Sequence, residues 1–299
     1  MAVLSVDLAH RRWSDLGIVV LDRARPADSA RLTPSGPEVL SQPAQGPADP
    51  LPEPPIECEI LAWDGLDLDP EHEISAEVAA KARRVDPNIL AGRLNHLCNV
   101  RCIHVIVLDG PQAWKSRHNG LLYARASERQ LNTAAKTGLP GLVKPVSMRA
   151  HAEFCLDVYE ALSRRGWKRL DTTGNPGTKS GFGPESGLDR VIVEGNPNAA
   201  WKSLGIKPLP SKRNSKLIDL AECYGALRAL IPIACNRPPN HDQLQAIVSG
   251  LPGLALEEHN TAGARIVGTA PRREEGHWRE GYIVLPVAPA RGGGIRWLQ

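Results

Sequence analysis

Four acidic residues of this 299-residue chain stand where a sheet-based active site would need them. Asp7, Asp109 and Glu194 each end a short aliphatic run with the composition of a β-strand. Asp242 opens a helical pattern, two residues after Asn240. Because binding sites in open α/β sheets gather at the carboxyl ends of strands, we expect these four carboxylates to lie close together.

A cluster of carboxylates requires a cation. Two like charges about 4 Å apart repel by about 4 kcal/mol at an effective dielectric constant near 20. Ligation by oxygen atoms alone favours Mg²⁺ or Mn²⁺. Such a site supports two-metal hydrolysis of a phosphodiester bond. The sequence therefore predicts that the same residues are metal ligands and catalytic groups: Asp7, Asp109, Glu194 and Asp242.

Each of these acids also has a purely structural interpretation. Asp7, Asp109 and Glu194 precede residues that commonly form turns. Asp242 lies at a helix start, where the helix dipole favours a negative charge whatever its function. A single shared cause explains four such positions more simply than four coincidences, so we prefer the metal site.

Residues near the acids are candidates for supporting roles. His241 adjoins Asp242 and can relay a proton to the leaving oxygen or hold the attacking water, although an exposed histidine at a helix start is an equal alternative. Trp114 can stack on a base, but packing in the core or at its rim is the commoner use of tryptophan. The cationic candidates for holding phosphates follow Asp109 and Glu194: Lys115, Arg117 and Lys202.

Hydrophobic patterning predicts the elements that position these residues. The predicted fold is α/β, with an antiparallel three-strand meander that continues into parallel strands and is flanked by helices. The last predicted helix ends before Pro252. The predicted strands are 3–7, 17–22, 56–60, 102–108, 167–172, 191–193 and 282–285, and the predicted helices are 75–97 with a break at Pro87, 148–162, 217–227 and a helix starting at 240.

We expect one domain over residues 1–299. Residues 26–55 contain nine prolines and no aromatic residue, a composition that predicts a flexible insertion between two strands. Residues 252–299 form a predicted C-terminal extension of a helix and a strand.

Composition narrows the class of protein. The formal net charge of +3 excludes a strongly basic protein that coats nucleic acid by charge alone. Six scattered cysteines do not resemble a secreted disulfide scaffold. We do not expect the N-terminal residues to form a signal peptide, and no apolar stretch approaches the roughly 18 residues that span a bilayer. A cytoplasmic protein without a membrane partner is predicted, and its oligomeric state is left open.

Five segments together resemble a known family. They are VLSVDLAHRRWSDLGIVVLD, HVIVLDGPQ, RVIVEGNPNAAWKSLG, NHDQLQAIVSG and EGYIVLP. They resemble the ribonuclease-H-like nucleases that are classed as a domain of unknown function and are related to the RuvC-type resolvases. The resemblance implies a ribonuclease-H-like mixed sheet and a nuclease that hydrolyses DNA or RNA with Mg²⁺ or Mn²⁺.

The closing helix departs from the family pattern. The family often carries a second Asp three residues after the first, whereas this chain has Gln245. An amide binds a cation less strongly than a carboxylate, so either a second ion is held loosely or the activity is weakened. Two alternatives stay open: an actin-like or sugar-kinase-like phosphotransferase, and a non-catalytic nucleic-acid-binding module with the same fold.

Overall fold

A mixed β-sheet lies at the centre of the computed structural model, which describes residues 1–23, 54–62, 84–171 and 190–289. Most of the proline-rich segment 26–55 and residues 75–83 of the predicted first helix lie outside the described residues. The strands are β1 Ala2–Asp7, β2 Gly17–Arg23, β3 Ile56–Leu61, β4 Val105–Asp109, β5 Lys136–Thr137, β6 Val143–Lys144, β7 Lys168–Arg169, β8 Val191–Gly195, β9 Ile233–Cys235, β10 Ala264–Glu274 and β11 His277–Pro286.

Helices cover the sheet. They are α1 Pro87–Arg101, α2 Ala126–Leu131, α3 Arg149–Ser163, α4 Pro197–Ser203, α5 Leu217–Leu230 and α6 His241–Glu257. None of the helices in the described residues has the length and apolar character needed to cross a bilayer.

The strand order in the main sheet is β10-β11-β8-β4-β1-β2-β3-β9, and β7 adds to β8. β1, β2 and β3 form an antiparallel meander. β4 lies parallel to β1, and β8 lies parallel to β4. The prediction of an α/β fold with a mixed sheet, antiparallel first and then parallel, is confirmed.

Alternate residues of β1 supply two cores on opposite faces of the sheet. Val3 belongs to the core beneath α6, α4 and α5, whereas Leu4 belongs to the core beneath α1 and α3. This alternation is the period-2 pattern of a strand that is covered on both faces. The end of β1 is therefore fixed from both sides.

Helix α6 continues past the predicted stop. It includes Pro252 and ends at Glu257, so the prediction of an end before Pro252 is wrong. An interior proline costs roughly 3 kcal/mol. The continuation buries Leu254, Ala255 and Leu256 in the core, and this burial outweighs the local penalty.

Helix α1 begins at Pro87, and residues 84–86 before it are not helical, whereas residues 75–83 of the predicted helix lie outside the described part of the chain. The carboxylate of Asp86 caps the helix by accepting hydrogen bonds from the backbone N–H groups of Asn88 and Ile89, at 2.8 and 3.0 Å. The strand predicted from residue 102 begins at Val105, because Cys102 adopts a left-handed conformation that ends α1.

Candidate functional site

Asp7 and Asp109 end two adjacent parallel strands at the same level. They are directly paired residues in the register of β1 and β4, and the protonated carboxyl group of Asp7 donates a hydrogen bond to the carboxylate of Asp109. Directly paired residues in neighbouring strands lie on the same face of the sheet. The structure therefore brings these two predicted ligands together.

Both carboxyl groups have strongly raised pKa values. Burial raises the pKa of Asp7 well above its usual range, and the charges of Asp109 and Asp242 raise it further. Burial also raises the pKa of Asp109 to about 7, and the charge of Glu194 adds to this effect. The hydrogen bond from Asp7 stabilises the Asp109 carboxylate. Two carboxyl groups in this position share a proton unless a cation joins them.

A glycine brings Asp242 to the same end of the sheet. Gly17, the first residue of β2, is paired with Asp7. A Cβ atom at Gly17 would lie 2.2 Å from the backbone oxygen of Asp242, so only glycine permits this approach. Asn240 caps α6, since its side chain accepts a hydrogen bond from the N–H of Gln243 at 3.0 Å.

The Asp242 carboxylate already has cationic and hydrogen-bonding partners. Lys212 Nζ lies 2.5 Å from Asp242 Oδ2 and 2.9 Å from Asp15 Oδ1. His241 Nδ1 lies 3.1 Å from Asp242 Oδ1, and its Nε2 lies 3.0 Å from the carbonyl oxygen of Pro210. Burial alone would raise the pKa of Asp242, but the hydrogen bonds of His241 and Lys212 outweigh it and lower the pKa.

His241 is therefore engaged at both ring nitrogens, each of which faces an oxygen atom. This arrangement fixes the ring and, through it, the Asp242 carboxylate. The predicted proton relay through His241 stays a prediction.

Glu194 is held in a buried ion pair. Arg125 donates to both carboxylate oxygens at 2.6 Å, and the backbone N–H of Gln112 donates to Oε2 at 3.0 Å. Burial alone would lower the pKa of Arg125, but the carboxylates of Glu194 and Glu128 outweigh it and raise the pKa. Both oxygens of Glu194 thus accept hydrogen bonds, and its predicted role as a metal ligand stays a prediction.

Gln245 also has a structural partner. Its Oε1 accepts a hydrogen bond from the indole Nε1 of Trp201 at 2.9 Å. Within the described residues, no group of three or more His, Cys, Asp or Glu side chains is arranged to hold one metal ion. Asp7 and Asp109 differ from these acids. Their carboxyl groups face each other, and neither forms an ion pair with a described Lys or Arg.

The predicted substrate-binding residues divide into two groups. Lys115 and Trp114 are buried: Lys115 Nζ donates to the backbone oxygen of Ser116 at 2.8 Å, and Trp114 packs against Val143 and Ala152. Their predicted contact with substrate conflicts with this burial. Arg117 and Lys202 are exposed, in keeping with a role at the surface, although Arg117 pairs with Glu275 at 3.0 Å.

A cavity of about 530 Å³ opens beside the acids. Asp109 and Glu194 line it, and so do Lys136 and Lys202. His151 lines it as well, and burial, with the charge of His10, lowers the pKa of His151 to about 4. At neutral pH this imidazole is therefore uncharged.

Four residues near the acids were not predicted from the sequence: Arg125, Lys212, Asp15 and His151. Lys212 has a visible signal, because it belongs to the basic run SKRNSK at residues 211–216. Arg125 stands three residues before Glu128, with which it also pairs at 3.0 Å, but nothing local indicates that it reaches Glu194.

Comparisons with known proteins add little to what the geometry shows. No protein-family model matches the chain, and no match was found among curated proteins. A solved structure of RuvC from Thermus thermophilus is similar over 87% of this chain and 98% of the RuvC chain, with 11% sequence identity and a TM-score of 0.33. A similarity this low carries no argument about function.

Proposed function

We propose that this protein is a metal-dependent nuclease with a ribonuclease-H-like core, which hydrolyses phosphodiester bonds of DNA or RNA. Asp7 and Asp109 are its proposed metal-holding residues, and the ion is Mg²⁺ or Mn²⁺. The cavity that Asp109 lines is the proposed substrate site.

The observation that carries the proposal is the pairing of Asp7 with Asp109. Two buried carboxyl groups at the same level of adjacent strands ionise with difficulty, which raises the pKa of each, unless a cation binds between them. Strongly perturbed acids beside a cavity are typical of functional sites. Binding of a divalent cation would relieve the repulsion at its source.

The strand order supports the same assignment. A sheet β3-β2-β1-β4-β8, with three antiparallel strands followed by parallel ones, is the arrangement that the family resemblance implied. The position of Asp7 at the end of the central strand β1 agrees with that resemblance, and so does Asp109 on β4.

The donor chemistry fits a hard cation. Mg²⁺ in phosphate-processing sites is commonly held by one or two carboxylates, with water and substrate phosphate as the other ligands. Asp7 and Asp109 supply such a pair. When bound, the ion would supply Lewis-acid stabilisation of the phosphate and activation of the attacking water.

Other residues of the chain would bind and orient the substrate. Lys136 and Lys202 line the cavity, and their positive charges can neutralise phosphate oxygens. The buried Arg125–Glu194 pair holds β8 against the loop that follows β4, because Glu194 also accepts from the Gln112 N–H. His241 and Lys212 orient Asp242 at the margin of the site.

The test is cleavage of single-stranded, duplex, hybrid and branched nucleic acids with Mg²⁺ or Mn²⁺. Wild-type protein should cleave at least one substrate class, and Asp7→Asn and Asp109→Asn should each reduce cleavage by at least about 100-fold, as expected when a group essential to transition-state stabilisation is lost. The matched control is Asp157→Asn, an exposed acid on α3, which should retain wild-type activity. Cleavage that survives both site substitutions would refute the assignment.

A non-catalytic nucleic-acid-binding module is the second candidate. It is favoured by the engagement of Glu194 with Arg125, of Asp242 with Lys212 and of Gln245 with Trp201. Calorimetry separates the two candidates: the nuclease should bind Mn²⁺ through Asp7 and Asp109, whereas the binding module should bind nucleic acid without metal.

A further inference from the structure

We infer that the ammonium group of Lys212 takes the place of a second cation in the acidic site, so that the protein binds one divalent ion, at Asp7 and Asp109. This inference rests on the proposed function and refines it. It assigns to Lys212 a charge-compensating and positioning role that the sequence motifs did not indicate.

The position of Lys212 is that of a bridging cation. Its Nζ lies between Asp242 and Asp15, at 2.5 and 2.9 Å from their carboxylate oxygens. Its positive charge also acts on Asp7 and opposes the effects that raise the pKa of that group. One ammonium group therefore compensates the Asp242 side of the acidic cluster.

The remaining candidate ligands are occupied. Both oxygens of Glu194 accept hydrogen bonds from Arg125, and the oxygen of Gln245 accepts from Trp201. A second divalent ion would have to displace Lys212 from Asp242 or break one of these contacts. The first ion needs neither change, because Asp7 and Asp109 pair with each other.

Lys212 also has a donor left for substrate. An ammonium group has three N–H donors, and two of them face Asp242 and Asp15. The side chain is 51% exposed, so the third donor can reach a phosphate oxygen of a bound strand. The ligand class that fits this position is a phosphodiester whose cleaved bond lies near the ion at Asp7 and Asp109.

The experiment counts Mn²⁺ ions by calorimetry and by electron paramagnetic resonance, which distinguishes an isolated ion from a coupled pair. Wild-type protein should bind one ion per chain. Lys212→Met and Lys212→Gln should bind two, because Asp242 and Asp15 lose their cation. Lys212→Arg should bind one, and so should Lys216→Met, an exposed lysine of the same segment.

Two outcomes would overturn the inference while leaving the proposed function in place: two coupled ions in wild-type protein, or a single ion in both folded neutral variants. Circular dichroism of each variant establishes that it is folded. If wild-type protein binds no Mn²⁺ at all, the proposed metal site itself fails, so the two failures are distinguishable.

Discussion

The indole N–H of Trp201 donates a hydrogen bond to the side-chain oxygen of Gln245, 2.9 Å away, and so joins α4 to α6. Trp201 is completely buried, so its N–H needs a partner inside the protein. An aspartate at position 245 would be shorter by one methylene group. Gln245 thus satisfies a buried donor here.

Replacing Gln245 tests whether it is structural or a ligand. We expect Gln245→Leu to lower the free energy of unfolding by about 1–3 kcal/mol, because the Trp201 N–H loses its acceptor. Affinity for Mn²⁺ should stay within about twofold of wild type, a small change on the scale of tenfold per 1.4 kcal/mol. Urea denaturation and calorimetry measure the two quantities. Loss of metal binding with unchanged stability would identify Gln245 as a ligand instead.

The Arg125–Glu194 pair should be far more costly to break than an exposed ion pair. Arg125→Met leaves Glu194 buried without its cation and should cost about 3–5 kcal/mol of stability. The double variant Arg125→Met, Glu194→Leu should recover part of that loss. The matched control is Arg149→Met, which breaks an exposed pair with Glu153 and should cost less than about 1 kcal/mol. Equal losses in the two single variants would contradict the buried-pair interpretation.

Gly17→Ala should disturb the site through the backbone. The added Cβ would lie 2.2 Å from the Asp242 oxygen, and relief of this overlap requires α6 to move away from β2. We expect a loss of about 1–3 kcal/mol in stability together with weaker Mn²⁺ binding. Gly225→Ala is the control, since its Cβ would meet nothing within 4 Å on α5 and should stabilise the helix by up to about 1 kcal/mol. If the two variants behave alike, the close approach at Gly17 has no energetic consequence.

The metal-free protein should become less stable as pH rises. In the folded protein the pKa of Asp7 is well above its usual range and the pKa of Asp109 is about 7, whereas in the unfolded chain both are about 4. The stability that these two groups contribute is therefore present below about pH 4 and is lost as the pH rises to about 7. Asp7→Asn removes the repulsion and should be more stable than wild type at pH 8. The difference in unfolding free energy between the variant and wild type should shift in favour of the variant by roughly 1–3 kcal/mol between pH 5 and pH 8.

Denaturation in chelator at the two pH values provides this comparison, with Glu222→Gln, an exposed acid on α5, as the matched control. Addition of Mg²⁺ at pH 8 should stabilise wild type and leave Asp7→Asn unchanged. A difference between wild type and Asp7→Asn that is constant with pH would show that the two carboxyl groups do not share a proton.

Cys235 should be a reactive thiol at neutral pH. It is paired with Cys58 in the register of β9 and β3, and the Cys58 thiol and the Tyr224 hydroxyl both hydrogen-bond to it. These contacts, with the charge of Arg228, lower the pKa of Cys235 to about 7. Its alkylation rate should rise with pH around a midpoint near 7, and Cys58→Ala should move that midpoint upward.

Mass spectrometry after timed iodoacetamide labelling locates the modified residue. The exposed Cys102 serves as an internal reference for reagent activity. An unchanged midpoint in Cys58→Ala would show that the Cys58 thiol does not stabilise the Cys235 thiolate.

Features that depend on neighbouring residues could be predicted from the sequence. The ends of β1 and β4 at Asp7 and Asp109 follow from alternation and turn composition, and the parallel arrangement then brings the two acids to one edge. The start of α6 follows from the Asn240 cap with Gln243 three residues later. The mixed α/β sheet could be predicted from the same local patterns.

Only the tertiary structure decided which of the predicted acids form ion pairs with Lys or Arg side chains. Arg125 reaches Glu194 across 69 residues, and Lys212 reaches Asp242 across 30, by paths that no local pattern encodes. The continuation of α6 through Pro252 likewise depends on burial against distant strands, which outweighs local helix propensity. The sequence by itself determined where acids end strands, because that is a local property. The partners of those acids were decided by the fold, because burial and ion pairing act between residues far apart in the chain.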